Sequence, residues 1–310
     1  MNDYTASAAW PTAHTLRHET DAIRLLQFSE GDGTAMVIIP PQAGHHSCIA
    51  DYGPGQSLVE SAADHYSGSV YCIEWKSCTH ERRKEGVADL LLQLDSAVLA
   101  AGGRATLVGL CQGGWLAVIY AALYPERVAS LVIAGAPIDT KAGKSKLHAA
   151  QRLPMLLYQA AVMMDGGLMK GRTMLKAWKS SDPIKHHLAQ QGPSAETTRF
   201  YSWYNHTQDI AGGWYLWAIE HLFQANNLSR NKLTVNGHHV DLAALKLLDS
   251  VHIVTGEKDD ITPPQQSHAL LLHVGAEVHS VNSGHIGVFM GRRGIKSVWS
   301  PLFAEMGKAA

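Results

Sequence analysis

Residues Ala105–Trp115 read Ala-Thr-Leu-Val-Gly-Leu-Cys-Gln-Gly-Gly-Trp. Ala105–Leu110 is a short apolar run with the length of a buried strand. Trp115–Tyr124 continues as a helix, and Pro125 ends it. Gly109-Leu110-Cys111-Gln112-Gly113 therefore falls where a strand turns into a helix. It has the form of a nucleophile elbow, G-x-S-x-G, with Cys in place of Ser. Such a turn is sharp and strained, so the flanking residues must be small for neighbouring backbone to approach. The thiol projects from the strand end at a helix N-terminus, where unpaired N–H groups favour negative charge. The N–H of Gln112 then points at a developing oxyanion.

Outward from the elbow, strand-like and helix-like segments alternate. Thr34–Pro40, Ser69–Trp75 and Val128–Ala134 read as strands. Gln56–Tyr66 and Glu85–Ala100 carry helical spacing, the second closed by Gly102-Gly103. This alternation predicts an α/β fold with a mostly parallel central sheet and helices on both faces. From Asp139 to Leu245 the chain reads as helical, aromatic and Met-rich, with no clear strand alternation. Strand-like text returns at Ser250–Thr255 and Glu277–Val281, with a helix near Gln265–His273 between them. Gly291–Lys308 reads as a closing helix. The expected organisation is a core at 1–138, a helical cap insertion at 139–245, and the rest of the core at 246–310.

A Cys at an elbow needs a base and an acid to orient that base, and in this architecture they follow in the order nucleophile, acid, base. Thr255–Pro263 follows a strand and ends in a Pro turn, the place for the acid. Asp259 has the spacing to Pro263 expected of it, Asp260 is the fallback, and Asp139 is a weaker rival. His285, in the loop Ser283–Gly287 after the last strand, is the expected base. The second oxyanion donor is expected from the loop Pro41–His46, at the N–H of Ala43 or Gly44. His45, Trp214 and Ile286 are the expected substrate contacts, while His45 and His46 together also read as two exposed loop residues.

No metal is expected. His14 and His18 lie four apart without a convincing helical pattern, and the pairs His45-His46, His186-His187 and His238-His239 cannot easily aim both rings at one ion. No phosphate-cradling or dinucleotide-binding glycine pattern is present, so no cofactor is expected. Cys72, alternating within a strand, is expected in the core.

Composition narrows the classes further. The 310 residues carry 26 Lys+Arg against 27 Asp+Glu, a net charge of −1, which argues against nucleic-acid binding and electrostatic attachment to anionic membranes. At 46% hydrophobic and 17% charged residues, the chain has ample material for a core. No apolar run approaches the roughly 18–20 residues that span a bilayer, and the first residues do not pattern as a secretory signal. Four Cys make no disulfide framework. The expectation is a soluble protein of the reducing cytoplasm.

The run GLCQGGWLAVIYAALYPERV resembles the elbow region of polyhydroxyalkanoate synthases and their relatives, α/β-hydrolases with a Cys nucleophile. Phe200–Lys246 resembles the cap-to-core return of the same superfamily. GEKDDITPPQQSHAL, GHIGVFMGRRG and APIDT (Ala136–Thr140) look most like intracellular polyhydroxyalkanoate depolymerases. Two features depart from these patterns. Synthases typically show Asp-His-Ile where this chain has Asp259-Asp260-Ile261. Depolymerases often lack the second elbow glycine, whereas Gly113-Gly114 look synthase-like. The resemblance implies Cys111, Asp259 and His285 as nucleophile, acid and base. It implies a cytoplasmic hydrolase, associated with polyester granules, that cleaves poly-3-hydroxybutyrate esters through a covalent acyl-enzyme. The rivals are a synthase-like acyltransferase, an acyl-CoA thioesterase and an inactive granule-binding protein. A homodimer is one assembly compatible with this reading.

Overall fold

Residues 10–181 and 195–309 are described in the computed structural model of the chain. Seven strands form the main sheet: β1 (Thr15–Glu19), β2 (Ile23–Ile39), β3 (Gly68–Trp75), β4 (Ala105–Leu110), β5 (Val128–Ala134), β10 (Ser250–Gly256) and β11 (Glu277–Val281). Four short strands form two ribbons outside it: β6 (Leu168–Met169) with β7 (Ile210–Ala211), and β8 (Thr234–Val235) with β9 (His238–His239). The sheet runs β1-β2-β4-β5-β10-β11, and β3 also pairs with β2. Four neighbouring pairs, β2·β4, β4·β5, β5·β10 and β10·β11, are parallel.

The 17-residue β2 holds more than the strand read at Thr34–Pro40. Its first half is antiparallel to β3, with Ile23 opposite Trp75 and Gln27 opposite Tyr71. After Gly31 and Gly33 the residue numbers on the two strands rise together, with Met36 opposite Val70 and Ile38 opposite Cys72. The bend needs Gly31. A Cβ on Gly31 would lie 2.1 Å from the Ser67 carbonyl oxygen.

Strand residues alternate between two cores, as side chains on a pleated sheet buried on both faces must. Val37, Ile39, Leu107, Leu131, Ile133 and Ile253 pack on one face with α2 (Val87–Ala100) and α3 (Gln112–Leu123). Met36, Ile38, Val108, Leu110, Val132 and Val254 pack on the other with α1 (Leu58–His65), Trp299 and Phe303. Cys72 lies fully buried in the second core, as expected. Parallel order, helices on both faces and a Cys at the end of the central β4 make this an α/β-hydrolase fold.

Between β5 and β10 the described chain adds no strand to the main sheet. It holds helices Met155–Met164, Gly171–Ser181, Ala195–Asn205 and Gly212–Trp217 together with the two ribbons. This segment is stitched to the sheet beside the end of β3. Trp203 Nε1 donates to the His46 carbonyl (3.1 Å), Gln208 Nε2 to the Trp75 carbonyl (2.5 Å) and Trp214 N to the Glu85 carbonyl (2.9 Å). Helix Met155–Met164 buries Tyr158 and Val162 and exposes Leu156, Met163 and Met164. The closing segment is helical without a break, as expected: Arg292–Gly294 runs into a wider π turn at Ile295–Trp299 and on into Ser300–Ala309.

Candidate active site

Cys111 caps α3 with φ 50° and ψ −114°, a backbone conformation that costs free energy in a residue with a side chain. The surrounding glycines make it possible. A Cβ on Gly113 would lie 1.9 Å from the Ile39 carbonyl oxygen, one on Gly109 2.5 Å from that of Gly113, and one on Gly114 2.4 Å from the Ala136 side chain. Helix α3 therefore starts directly against β2 and β5. Cys111 N donates to the Ala134 carbonyl (2.8 Å), which ties the elbow to the neighbouring strand. The side chain of Cys111 is half-buried.

His285 and Asp259 meet beside it. His285 Nδ1 lies 2.7 Å from Asp259 Oδ2 and 2.9 Å from Thr262 Oγ1. Four donors converge on the carboxylate: Ile261 N (2.9 Å) and Thr262 N (2.8 Å) on Oδ1, and Thr262 Oγ1 (2.9 Å) and His285 on Oδ2. The carboxylate is thereby fixed in orientation and in turn fixes the imidazole. With Nδ1 engaged, Nε2 remains for the hydrogen bond that His285 also makes to Cys111. Burial alone disfavours the charged imidazole, but the Cys111 sulfur and the hydrogen bonds to Asp259 and Cys111 outweigh it and push the pKa up to about 10. The arrangement is that of a thiol paired with an oriented base, able to form a thiolate–imidazolium pair.

Asp260 stands apart. Its carboxylate meets Lys146 Nζ at 2.7 Å on the exposed surface. Asp139 accepts from Asn226 Nδ2 (2.8 Å) and Lys141 N (2.9 Å), and it supports the segment after β5. Two further residues shape the site without a motif to announce them. Thr262 bridges Asp259, His285 and the Gly135 carbonyl. Gly135, at φ 50°, holds a conformation that side chains rarely adopt, and a Cβ there would sit 3.1 Å from the Phe289 ring that packs on His285. The glycine was legible in the run Ala134-Gly135-Ala136, but its use was not.

The oxyanion expectation needs correcting on one side. Gln112 N opens α3, where an N–H has no intrahelical partner. The Ala43 N–H, however, donates to Gln112 Oε1 at 2.6 Å, so the Gln112 side chain occupies the donor that a substrate oxygen was expected to meet. The His45 ring lies 4.6 Å from that of Trp203 and 4.4 Å from that of Tyr204. Ile286 packs in the same cluster as Cys111, with Phe200 and Tyr204. Trp214 does not join them. It is 2% exposed and lies in the other core, beneath α2, because its helix starts directly against neighbouring backbone: a Cβ on Gly213 would lie 2.5 Å from the Glu85 carbonyl oxygen. His46 is no exposed loop residue either. Its Nδ1 accepts from Cys48 N (3.1 Å) and its Nε2 lies 3.3 Å from Glu74 Oε1.

His14 precedes β1 and His18 lies in it, so they share no helix face. His238 and His239 are successive strand residues and point to opposite faces. His186 and His187 lie outside the described residues. No described helix is long and apolar enough to cross a membrane.

Comparison with known proteins adds the family. The chain is 25% identical over 322 aligned residues to the poly(3-hydroxyalkanoate) polymerase subunit PhaC of Haloferax mediterranei, covering 95% of this chain and 64% of that protein. It is 24% identical to the subunit of the same name from Haloarcula marismortui, covering 76% of this chain and 53% of that one. The chain thus spans less than two thirds of either relative. Among solved structures, a Nitrososphaera gargenis carboxylesterase superposes with a TM-score of 0.58 at 15% identity, covering 96% of this chain and 100% of that one. At that identity the likeness speaks for the fold alone. Residues 135–308, more than half of the chain and including Asp259 and His285, match the family described as PHB de-polymerase C-terminus, and the chain belongs to that family.

Proposed function

We propose that the chain transfers hydroxyacyl groups of polyhydroxyalkanoates through Cys111, with chain elongation ahead of hydrolysis. The observation that carries the reading is the Cys111–His285–Asp259 constellation in a chain similar to several proteins named polymerase subunits. His285 Nε2 takes the Cys111 proton, and the thiolate attacks the carbonyl of a hydroxyacyl thioester. The Gln112 N–H stabilises the oxyanion, a donor worth about 3 kcal/mol in comparable sites. The thiol leaving group departs with the proton from His285. His285 then removes a proton from the hydroxyl of a growing chain, and that oxygen displaces Cys111 from the acyl group.

In this reading residues 139–245 form a cap, and the exposed Leu156, Met163 and Met164 suit an apolar polyester. The half-buried Phe200 and Tyr204, packed against the same core as Cys111, face the substrate in this reading in place of Trp214.

Hydrolysis is the second reading. The family's depolymerase description and the Asp259-Asp260-Ile261 sequence favour it, and it needs only water in place of the chain hydroxyl. The test supplies 3-hydroxybutyryl-CoA and, separately, amorphous poly-3-hydroxybutyrate. CoA release with polymer growth supports elongation. Acid release from the polymer, without CoA-dependent growth, overturns elongation in favour of hydrolysis.

A further inference from the structure

Strands β10 and β11 carry a second cluster of titratable groups, away from the end of β10 that leads into Asp259. The parallel register sets His252 opposite Glu277. Glu277 and His279, two apart on one strand, share a face. One ligand atom from each of the three residues falls within 4.8 Å of the other two.

We propose that His252, Glu277 and His279 bind one divalent transition-metal ion of the zinc or cobalt type, which pins the edge strand β11 to β10. His252 Nδ1 and His279 Nε2 are 3.4 Å apart. That is long for a hydrogen bond between nitrogens, which is usually about 2.7–3.2 Å. It matches the edge of a tetrahedron around zinc, about 3.4 Å for metal–nitrogen bonds of about 2.0–2.1 Å. His252 Nδ1 lies 3.8 Å from Glu277 Oε2, and the Glu277 side chain is 64% exposed, free to close a few tenths of an ångström.

The surroundings prepare His252 as a ligand. Ser250 Oγ donates to Ser130 Oγ (3.0 Å), so it accepts from His252 Nε2–H, also at 3.0 Å. That contact leaves the Nδ1 lone pair aimed at His279, the outer-shell orientation that metal-bound imidazoles commonly have. Two imidazoles and one carboxylate favour zinc or cobalt over calcium or magnesium, and the exposed side leaves a fourth position for water.

The test titrates chelator-stripped full-length protein with Co²⁺ and with Zn²⁺. It reads bound stoichiometry, the cobalt absorption band and Tm. The expected result is one tight equivalent that raises Tm and disappears in His279→Ala. Ser250→Ala, which touches no metal, is expected to weaken that equivalent about 10–100-fold. Glu277→Gln, at an exposed position, serves as the ligand variant least able to disturb folding. Equal stoichiometry and affinity in wild type, His279→Ala and Glu277→Gln would overturn the proposal, as would a Tm unmoved by either metal.

Discussion

Asp259 and Asp260 are chain neighbours with opposite surroundings. Asp259 is buried under four donors and touches His285, while Asp260 forms an exposed pair with Lys146. Losing the partner that orients a catalytic imidazole costs about 10⁴-fold in comparable triads, whereas exposed ion pairs contribute about 0–1 kcal/mol. Asp259→Ala is expected to lower turnover by roughly three to four orders of magnitude, and Asp260→Ala to leave it within a few-fold. Steady-state rates of the two variants decide this, and a larger loss at Asp260 would contradict the assignment. The sequence made Asp259 legible through its spacing to Pro263. Other residues were harder. Gln112 was readable as a backbone donor, but the reach of its side chain to Ala43 depends on a rotamer and on a loop from another strand. Trp214 and Trp203 look alike in sequence, and only tertiary packing sends the first to the core beneath α2 and the second to the core on the other face of the sheet, against His45 and Phe200.

The elbow is the element whose geometry was most fully readable, because its glycines answer to close backbone approach. Gly113 gives the sharpest check. Overpacking costs about 1–3 kcal/mol even where side chains can shift, and here the Cβ would meet the Ile39 carbonyl at 1.9 Å. Gly113→Ala is expected to destabilise by about 3 kcal/mol or more and to remove activity. A variant with wild-type Tm and rate would refute the packing account. Strands β3, β4, β5 and β10 were legible as apolar runs of strand length, and β11 as a short strand-like segment with two Val among polar residues. β1 was not, because Thr15–Glu19 is an exposed edge with one large apolar residue, Leu16. The first half of β2 was missed because Ile23–Phe28 breaks the alternation with adjacent Leu25 and Leu26. The closing helix was legible as a continuous element, but apolar spacing does not reveal the π turn within it at Ile295–Trp299.

At the scale of the molecule, two buried groups bound the pH range of full stability. Burial alone lifts the pKa of Glu74, but hydrogen bonds from His46, Trp10 and Arg24 outweigh it and bring the pKa to about 2, against an ordinary value of 4.5. Its stabilisation is present above the ordinary value and is lost as pH falls toward 2. His285 is raised from 6.5 to about 10, so its stabilisation is complete below 6.5 and is lost as pH rises through 10. Maximum Tm is expected between these two ordinary values, and His285→Asn is expected to flatten the alkaline side. A wild-type Tm still rising above pH 8 would contradict this.

The central claim is covalent transfer through Cys111, and intact-protein mass spectrometry after mixing with 3-hydroxybutyryl-CoA tests it most directly. The account predicts one hydroxybutyryl adduct, mapped to the peptide holding Cys111 and absent from Cys111→Ala. An adduct on another residue, or full turnover in Cys111→Ala, would contradict it.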